Sequence, residues 1–366
     1  MMALRTTTIL VLLVCMTGIA NAQFGGGGGS GSYTLAEGER NFKLAGIPIP
    51  GYSDVLGFNL ALVGMAYYKM DRHDDSLPPS ATGMFGFYSE NKSWMGGAFQ
   101  KFHLDGDNWR ALAAFMTGSV KYQFNPASVG PGFPDVFVDY TGANSLIFAQ
   151  GARRVWDKLY LGLAVLSWKS QVTFGDNLVE MPEEQYTGPG VMAEWDKRNH
   201  TMFPTGGIYI DGRVLIFSET FGSDRDFRKL SLGLRGYSAL GDSTKVLAGR
   251  VLSEGGYGDV PFSGEAMLNG NRNLRGYSNG RYRGNQLLTV EAEYRWMFWK
   301  RWGAVAFAGL GWVAEGISQM SLGDTLPASG VGLRWCMIET YKINARIDYG
   351  WGKNDQGVYL SIGEAF

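Results

Sequence analysis

Cysteine is nearly missing from this chain of 366 residues, with Cys15 and Cys336 as its two members. Cys15 sits in the first 22 residues, which read as a removable leader, so Cys336 is left alone and no disulfide framework can form. Histidine is as scarce: His73, His103 and His200 are the whole set, and none has the spacing of a metal-ligand pair. His73 lies in the run Asp71-Arg72-His73-Asp74-Asp75 and reads as part of a polar loop. No serine and histidine are placed for acyl transfer. Neither sign of charge dominates, since 33 basic residues meet 34 acidic ones, which excludes an electrostatic case for nucleic acid. Long apolar runs are missing too. Beyond the leader, no segment approaches the roughly 18 consecutive apolar residues that a membrane helix requires. The expectation is a protein that is not an enzyme, with no catalytic residues, no metal and no cofactor.

The leader itself is well formed. Arg5 supplies a positive start, Ile9 to Val14 an apolar run, and Ala20-Asn21-Ala22 the small-x-small pattern of a cleavage site. The apolar run is too short for a membrane anchor. A lipoprotein reading through Cys15 is disfavoured because Val14 precedes it, where a small residue is needed. Residues 1–22 are therefore predicted as a signal peptide. Gly25 to Ser32 form a Gly/Ser tether, and Pro48 and Pro50 punctuate the stretch after it, so 23–54 is predicted as a short flexible segment. Residues 55–366 have one uniform texture and read as a single domain.

Glycine and aromatic residues are abundant, with Gly at 53 positions and Phe, Trp and Tyr at 14%. Apolar residues alternate with polar ones. In 288–298, Leu288, Val290, Ala292, Tyr294, Trp296 and Phe298 share one face, while Thr289, Glu291, Glu293 and Arg295 share the other. In 341–351, Tyr341, Ile343, Ala345, Ile347, Tyr349 and Trp351 oppose Asn344, Arg346, Asp348 and Gly350. Ile208, Ile210, Val214 and Ile216 likewise oppose Asp211 and Arg213. An ionised side chain facing lipid at the mid-plane costs about 2–4 kcal/mol. The charged faces must therefore line a lumen, and Asp211, Arg213, Arg235, Arg250, Arg334, Arg346 and Asp348 are expected there as solvated, mutually paired residues. A soluble β-sandwich would reverse the faces, but it has no use for aromatics at strand ends.

The prediction is an all-β, transmembrane, antiparallel up-and-down barrel. Fifteen runs alternate, near 56–69, 82–89, 93–103, 109–122, 138–153, 159–174, 187–197, 206–218, 227–237, 245–254, 287–298, 303–313, 329–337, 341–351 and 357–366. Single-chain bacterial barrels have even strand numbers, so sixteen is expected, with fourteen as the alternative. The long connections at 70–80, 124–136, 175–186 and 255–284 should mostly lie outside the cell. Short turns such as Asp105-Gly106-Asp107-Asn108 suit the periplasmic end.

Three blocks carry a more specific pattern. The long connection reads Val260-Pro261-Phe262, then Gly270, then Leu274-Arg275-Gly276-Tyr277. Upstream, Asp196-Lys197-Arg198-Asn199 precedes Phe203-Pro204-Thr205-Gly206. Downstream come Val331-Gly332-Leu333-Arg334, Arg346-Ile347-Asp348-Tyr349-Gly350 and the run Gly357 to Phe366. In this order and spacing, over roughly 187–366, the chain resembles the bacterial surface antigen barrel of the BamA/TamA superfamily. The resemblance implies that the RGY loop folds inward and that Arg275 meets acids on nearby strands, with Glu291 and Glu293 as the matching residues. This sequence departs from the family pattern at Phe307, before Ala308-Gly309, where relatives often carry aspartate. That departure weakens the anchor or rearranges it. Val358, Leu360, Ile362 and Phe366 are expected on one face of the last strand, a series that Glu364 interrupts near the membrane edge. They resemble the signal by which the barrel-assembly machinery captures its clients, through main-chain pairing and side-chain pockets.

The resemblance implies a bacterial outer-membrane protein that inserts or moves proteins, or handles lipids, through a weak seam between first and last strands. Members that insert clients usually carry periplasmic POTRA modules, and the thirty or so residues before Leu56 are too few for one. The leading expectation is a POTRA-less relative in outer-membrane assembly or membrane remodelling; the alternative is a passive structural or pore-forming barrel. The partners expected are outer-membrane lipids, the assembly machinery during biogenesis, client barrel proteins and no nucleic acid. An aromatic-rich lipid face could also support a homodimer.

Overall fold

The computed structural model describes residues 42–53, 56–68, 70, 79–124, 136–175, 179–339 and 342–366. The leader, the Gly/Ser tether and the loop holding His73 lie outside the described residues. Sixteen strands succeed one another as a single antiparallel meander. The first eight are β1 (Phe42–Ser53), β2 (Gly57–Tyr68), β3 (Ser80–Ser89), β4 (Trp94–Leu104), β5 (Trp109–Phe124), β6 (Val138–Trp156), β7 (Leu159–Phe174) and β8 (Glu184–Asp196). The second eight are β9 (Gly207–Phe217), β10 (Phe227–Leu240), β11 (Asp242–Gly258), β12 (Gln286–Trp299), β13 (Trp302–Ala314), β14 (Leu326–Ile338), β15 (Ile343–Gly352) and β16 (Asp355–Ile362). Each pairs with the next along the chain. Among the described residues no pairing joins β1 to β16, so the barrel is nearly closed, with one seam.

All fifteen alternating runs become strands, and the sixteenth is β1, inside the segment predicted as flexible. The prolines account for the difference. Pro48 and Pro50 lack backbone donors, which demotes a segment in the middle of a sheet but is tolerated at an edge. β1 is such an edge, since among the described residues it pairs with β2 alone. Among the described residues the first strand thus starts at Phe42, within the stretch 23–54.

Short turns at 105–108, 157–158, 241 and 300–301 gather at one end, and the long connections 259–285 and 315–325 at the other, where β5 also ends and β6 begins. By the asymmetry of outer-membrane barrels, the first end is periplasmic. β2 ends at Tyr68 and β3 starts at Ser80, both at that periplasmic end, so the stretch 70–80 differs from the other long connections expected outside.

Alternation sorts the side chains as the pattern requires. Val290, Tyr294, Trp296 and Phe298 are exposed on the outer wall, while Thr289, Glu291, Glu293 and Arg295 are buried inside. The lumen is not uniformly polar, however. From β2 to β7 the inward residues include Met65, Phe87, Met95, Phe99, Met116, Phe148, Leu166 and Trp168, joined in one apolar cluster. Charges concentrate on β9 to β15. They are not the solvated lining expected: Asp211, Arg213, Arg334, Arg346 and Asp348 are at most 6% exposed. At that burial each charge must find a partner within the wall or in the loop above it.

Candidate functional site: the lumen loop and the tail below it

The connection 259–285 is the longest, and it turns into the barrel. Leu274, Arg275 and Tyr277 are buried to 1% exposure or less. The Arg275 guanidinium reaches Glu291 at 2.6 Å, Glu293 at 2.5 Å and Asp348 at 2.8 Å. Its backbone N–H donates to Glu291 as well, at 3.2 Å. Glu291 and Glu293 are two apart on β12 and so share its inner face; Asp348 comes from β15. A rigid fork of five donors can serve three carboxylates together.

Phe307, on β13 between these strands, takes the place where an acid was expected. Its ring lies under the Arg275 guanidinium, 3.6 Å from ring centre to Cζ. The ring stacks on the cation instead of pairing with it, and Asp348 supplies the remaining charge. Asp348 is thus part of the anchor and not ordinary lining. Its companions Arg334 and Arg346 bind it at 2.5 Å and 2.7 Å.

Close backbone packing completes the anchor. Gly276 has φ +112°, a conformation that L side chains rarely adopt. An added Cβ at Gly350 would lie 2.8 Å from the Gly276 nitrogen, so the loop lies directly on the β15 backbone. Gly276 N–H donates to the Tyr359 hydroxyl at 2.8 Å. The Tyr277 hydroxyl donates to the Pro327 carbonyl at 2.7 Å and accepts from Lys353 N–H at 3.0 Å. Burial pushes the Tyr277 phenol up to about 12, which keeps the donating proton in place. Gly350→Ala should therefore displace the loop and raise its susceptibility to added protease in intact cells. Gly249→Ala, on the outer wall with nothing within 4 Å of the new Cβ, should leave digestion unchanged.

A second anchor uses Phe262, from the block Val260-Pro261-Phe262, in a role that the sequence pattern does not assign. Arg283 pairs with Glu265 at 2.6 Å, donates to the Tyr140 hydroxyl at 2.8 Å and lies 3.5 Å from the centre of the Phe262 ring. Phe262 in turn packs edge-on against Phe124, Tyr140 and Phe174 of β5, β6 and β7. The loop thus crosses the lumen, with one foot in carboxylates on β12 and β15 and the other in an aromatic box on the facing strands. Phe262 and Arg283 flank the RGY motif; the block Val260-Pro261-Phe262 marks the first, but nothing periodic links it to Arg283.

The last residues depart from expectation. β16 ends at Ile362, and Gly363 turns the chain with φ +86°. Val358, Leu360 and Ile362 keep one strand face, but Phe366 does not join it. It is 2% exposed inside the barrel, against Tyr237, Val246 and Ala248. Glu364, placed near the membrane edge by the sequence pattern, instead accepts from Arg334 at 2.8 Å and from Asn344 at 2.6 Å. The Phe366 carbonyl accepts from Arg295 at 2.7 Å. Arg250 donates to the carbonyls of Arg272 at 2.6 Å and Ala365 at 3.3 Å, tying the loop and this tail to one guanidinium. These two donors to Glu364 outweigh the apolar pattern that would have continued the strand.

A sixteen-stranded meander with aromatic outer ends, an acid-anchored inner loop and one unpaired seam defines an outer-membrane β-barrel. Residues 189–366, just under half of the chain, match the Omp85 superfamily domain, as the resemblance to BamA/TamA-type barrels implied, and the barrel is one of the bacterial outer membrane. Solved structures agree at the level of fold. BamA from Haemophilus ducreyi lacking POTRA domains 1–3 superposes with TM-score 0.56 at 11% identity, covering 88% of this chain and 69% of that one. CdiB from Acinetobacter baumannii gives 0.57 at 15% identity, with 88% and 59% covered. CdiB from Escherichia coli gives 0.60 at 12%, with 90% and 63% covered. The chain therefore spans 59–69% of the length of these structures. No curated protein matches in sequence.

Proposed function

We propose that this barrel acts in outer-membrane protein assembly or insertion, or in remodelling of the membrane, without enzymatic chemistry. The seam carries the reading. Both β1 and β16 present a row of backbone groups with a partner on one side only, and such edges pair readily with another strand. A client strand or a distorted lipid surface could engage there while the other fifteen ladders stay intact. The loop suits this role because it closes the lumen across its width and leaves the seam as the active element. The partners are then outer-membrane lipids and client barrels. Depletion should alter the outer-membrane proteome or lipid asymmetry, and a variant with β1 and β16 cross-linked by introduced cysteines should fail to restore it. An unchanged proteome and unchanged lipid distribution after depletion would remove the proposal.

The second reading, a passive pore, meets the same loop as an obstacle. In planar bilayers the intact barrel should conduct poorly, and deletion of 262–282 should raise single-channel conductance several-fold. Equal conductance before and after the deletion would show that the loop does not close the lumen.

A further inference from the structure

Charge on the inner wall of β9 to β11 is out of balance. Arg235 and Arg250 stand directly opposite each other on adjacent strands, and both are buried. Like charges in that position repel. Asp211 neutralises Arg235 at 2.6 Å. The carboxylate near Arg250 is Glu291 at 3.6 Å, and Arg275 already holds Glu291.

Two further cations share the same inner face. Arg213 makes no ion pair among the described residues; it donates to Gln150 at 3.0 Å and rests on the Phe148 ring. Its Nε is buried without a partner, as is the Nε of Arg250, and the residue is 6% exposed. Lys229 on β10 is half-buried and likewise makes no ion pair among the described residues. Arg272 descends from the loop to Glu254, and its backbone carbonyl accepts from Arg250 at 2.6 Å; the charges of Arg213, Arg250 and Arg235 act on it, opposed by that of Asp211. Ser231, directly opposite Arg213 and Glu254, keeps the wall between them low. Five cations thus belong to this part of the inner wall and the loop above it, where Asp211 pairs with Arg235, Glu254 with Arg272, and Arg250 shares Glu291 with Arg275.

We propose that this part of the lumen binds a phosphate-class oxyanion. Donors approach from three strands and from the loop above. That spread of directions suits a tetrahedral anion with several acceptor oxygens better than one planar carboxylate. The anion would relieve the Arg235–Arg250 repulsion and complete Arg213 and Lys229. Inorganic phosphate and the headgroup of an anionic phospholipid share this chemistry.

The purified barrel in zwitterionic detergent tests the proposal by its tryptophan-monitored unfolding temperature, in chloride and in inorganic phosphate at equal ionic strength. Phosphate should raise the midpoint over chloride, and the Arg213→Gln/Lys229→Gln variant should lose that rise. In chloride the variant should be no less stable than wild type, because it removes repulsion; a purely structural Arg213 would make it less stable. Native mass spectrometry separates the sources: retention of phosphatidylglycerol over phosphatidylcholine, lost in the variant, assigns the headgroup. A phosphate rise without that retention assigns the free ion. No preference for phosphate over chloride together with none for phosphatidylglycerol overturns the site, and so does a phosphate response that survives in the variant.

Discussion

Arg275→Ala should be the most damaging single substitution in this barrel. The guanidinium faces Glu291, Glu293 and Asp348, each at most 1% exposed. Removing one partner from a buried ionic group costs about 3–5 kcal/mol, because the charges left behind stay desolvated. The three acids do not suffer alike. Asp348 keeps Arg334 and Arg346, and Glu293 keeps Arg295 at 2.6 Å. Glu291 keeps only Arg250, at 3.6 Å. The strain therefore concentrates on Glu291, and Arg275→Ala combined with Glu291→Gln should recover part of the loss, since coupled sites are non-additive. Arg275→Lys should fail almost as badly, because one ammonium cannot span three carboxylates and stack on Phe307. The temperature at which the folded barrel loses its compact mobility on denaturing gels measures all three variants. An Arg275→Ala barrel that melts with wild type would show that the loop contributes nothing to the wall.

Much of this is legible in the chain because period-two alternation and motif order both encode it. Alternation sorts Glu291, Glu293 and Arg295 inward and Val290, Tyr294 and Trp296 outward. It works wherever one side meets lipid and the other cannot. The motif order then places Arg275 among acids. The features that stay hidden lack periodicity. β1 is masked by Pro48 and Pro50, whose cost depends on whether a neighbour exists on both sides. The apolar wall of β2 to β7 blurs the inward face there, since both faces are greasy and composition alone cannot tell them apart. Asp348 looks like lining, and no sequence rule says which of several inward acids an arginine 73 residues away will reach. The turn at Gly363 is the clearest case. Local pattern continues the strand, while long-range pairing of Glu364 with Arg334, 30 residues upstream, ends it.

That inward turn packs Phe366 into the lumen, and Phe366→Ala should test this packing and the proposed capture signal separately. Truncating a buried aromatic ring costs about 3–5 kcal/mol when the surroundings cannot collapse. Tyr237, Val246 and Ala248 sit on paired strands and have little freedom to do so. Arg250 would lose the ring it lies over, 4.7 Å from the centroid. The folded barrel should therefore unfold at lower temperature even when refolded from urea into detergent, where no assembly machinery takes part. In cells, the same substitution should lower the yield in the outer membrane, as expected if Val358, Leu360, Ile362 and Phe366 serve as a capture signal before the tail folds inward. The two readouts are independent. Unchanged melting in detergent would remove the lumen-packing role, and unchanged yield in cells would remove the capture role. Glu364→Gln divides them further: it keeps the segment's apolar residues but weakens the hold on Arg334. It should lower the melting temperature while leaving cellular insertion near wild type.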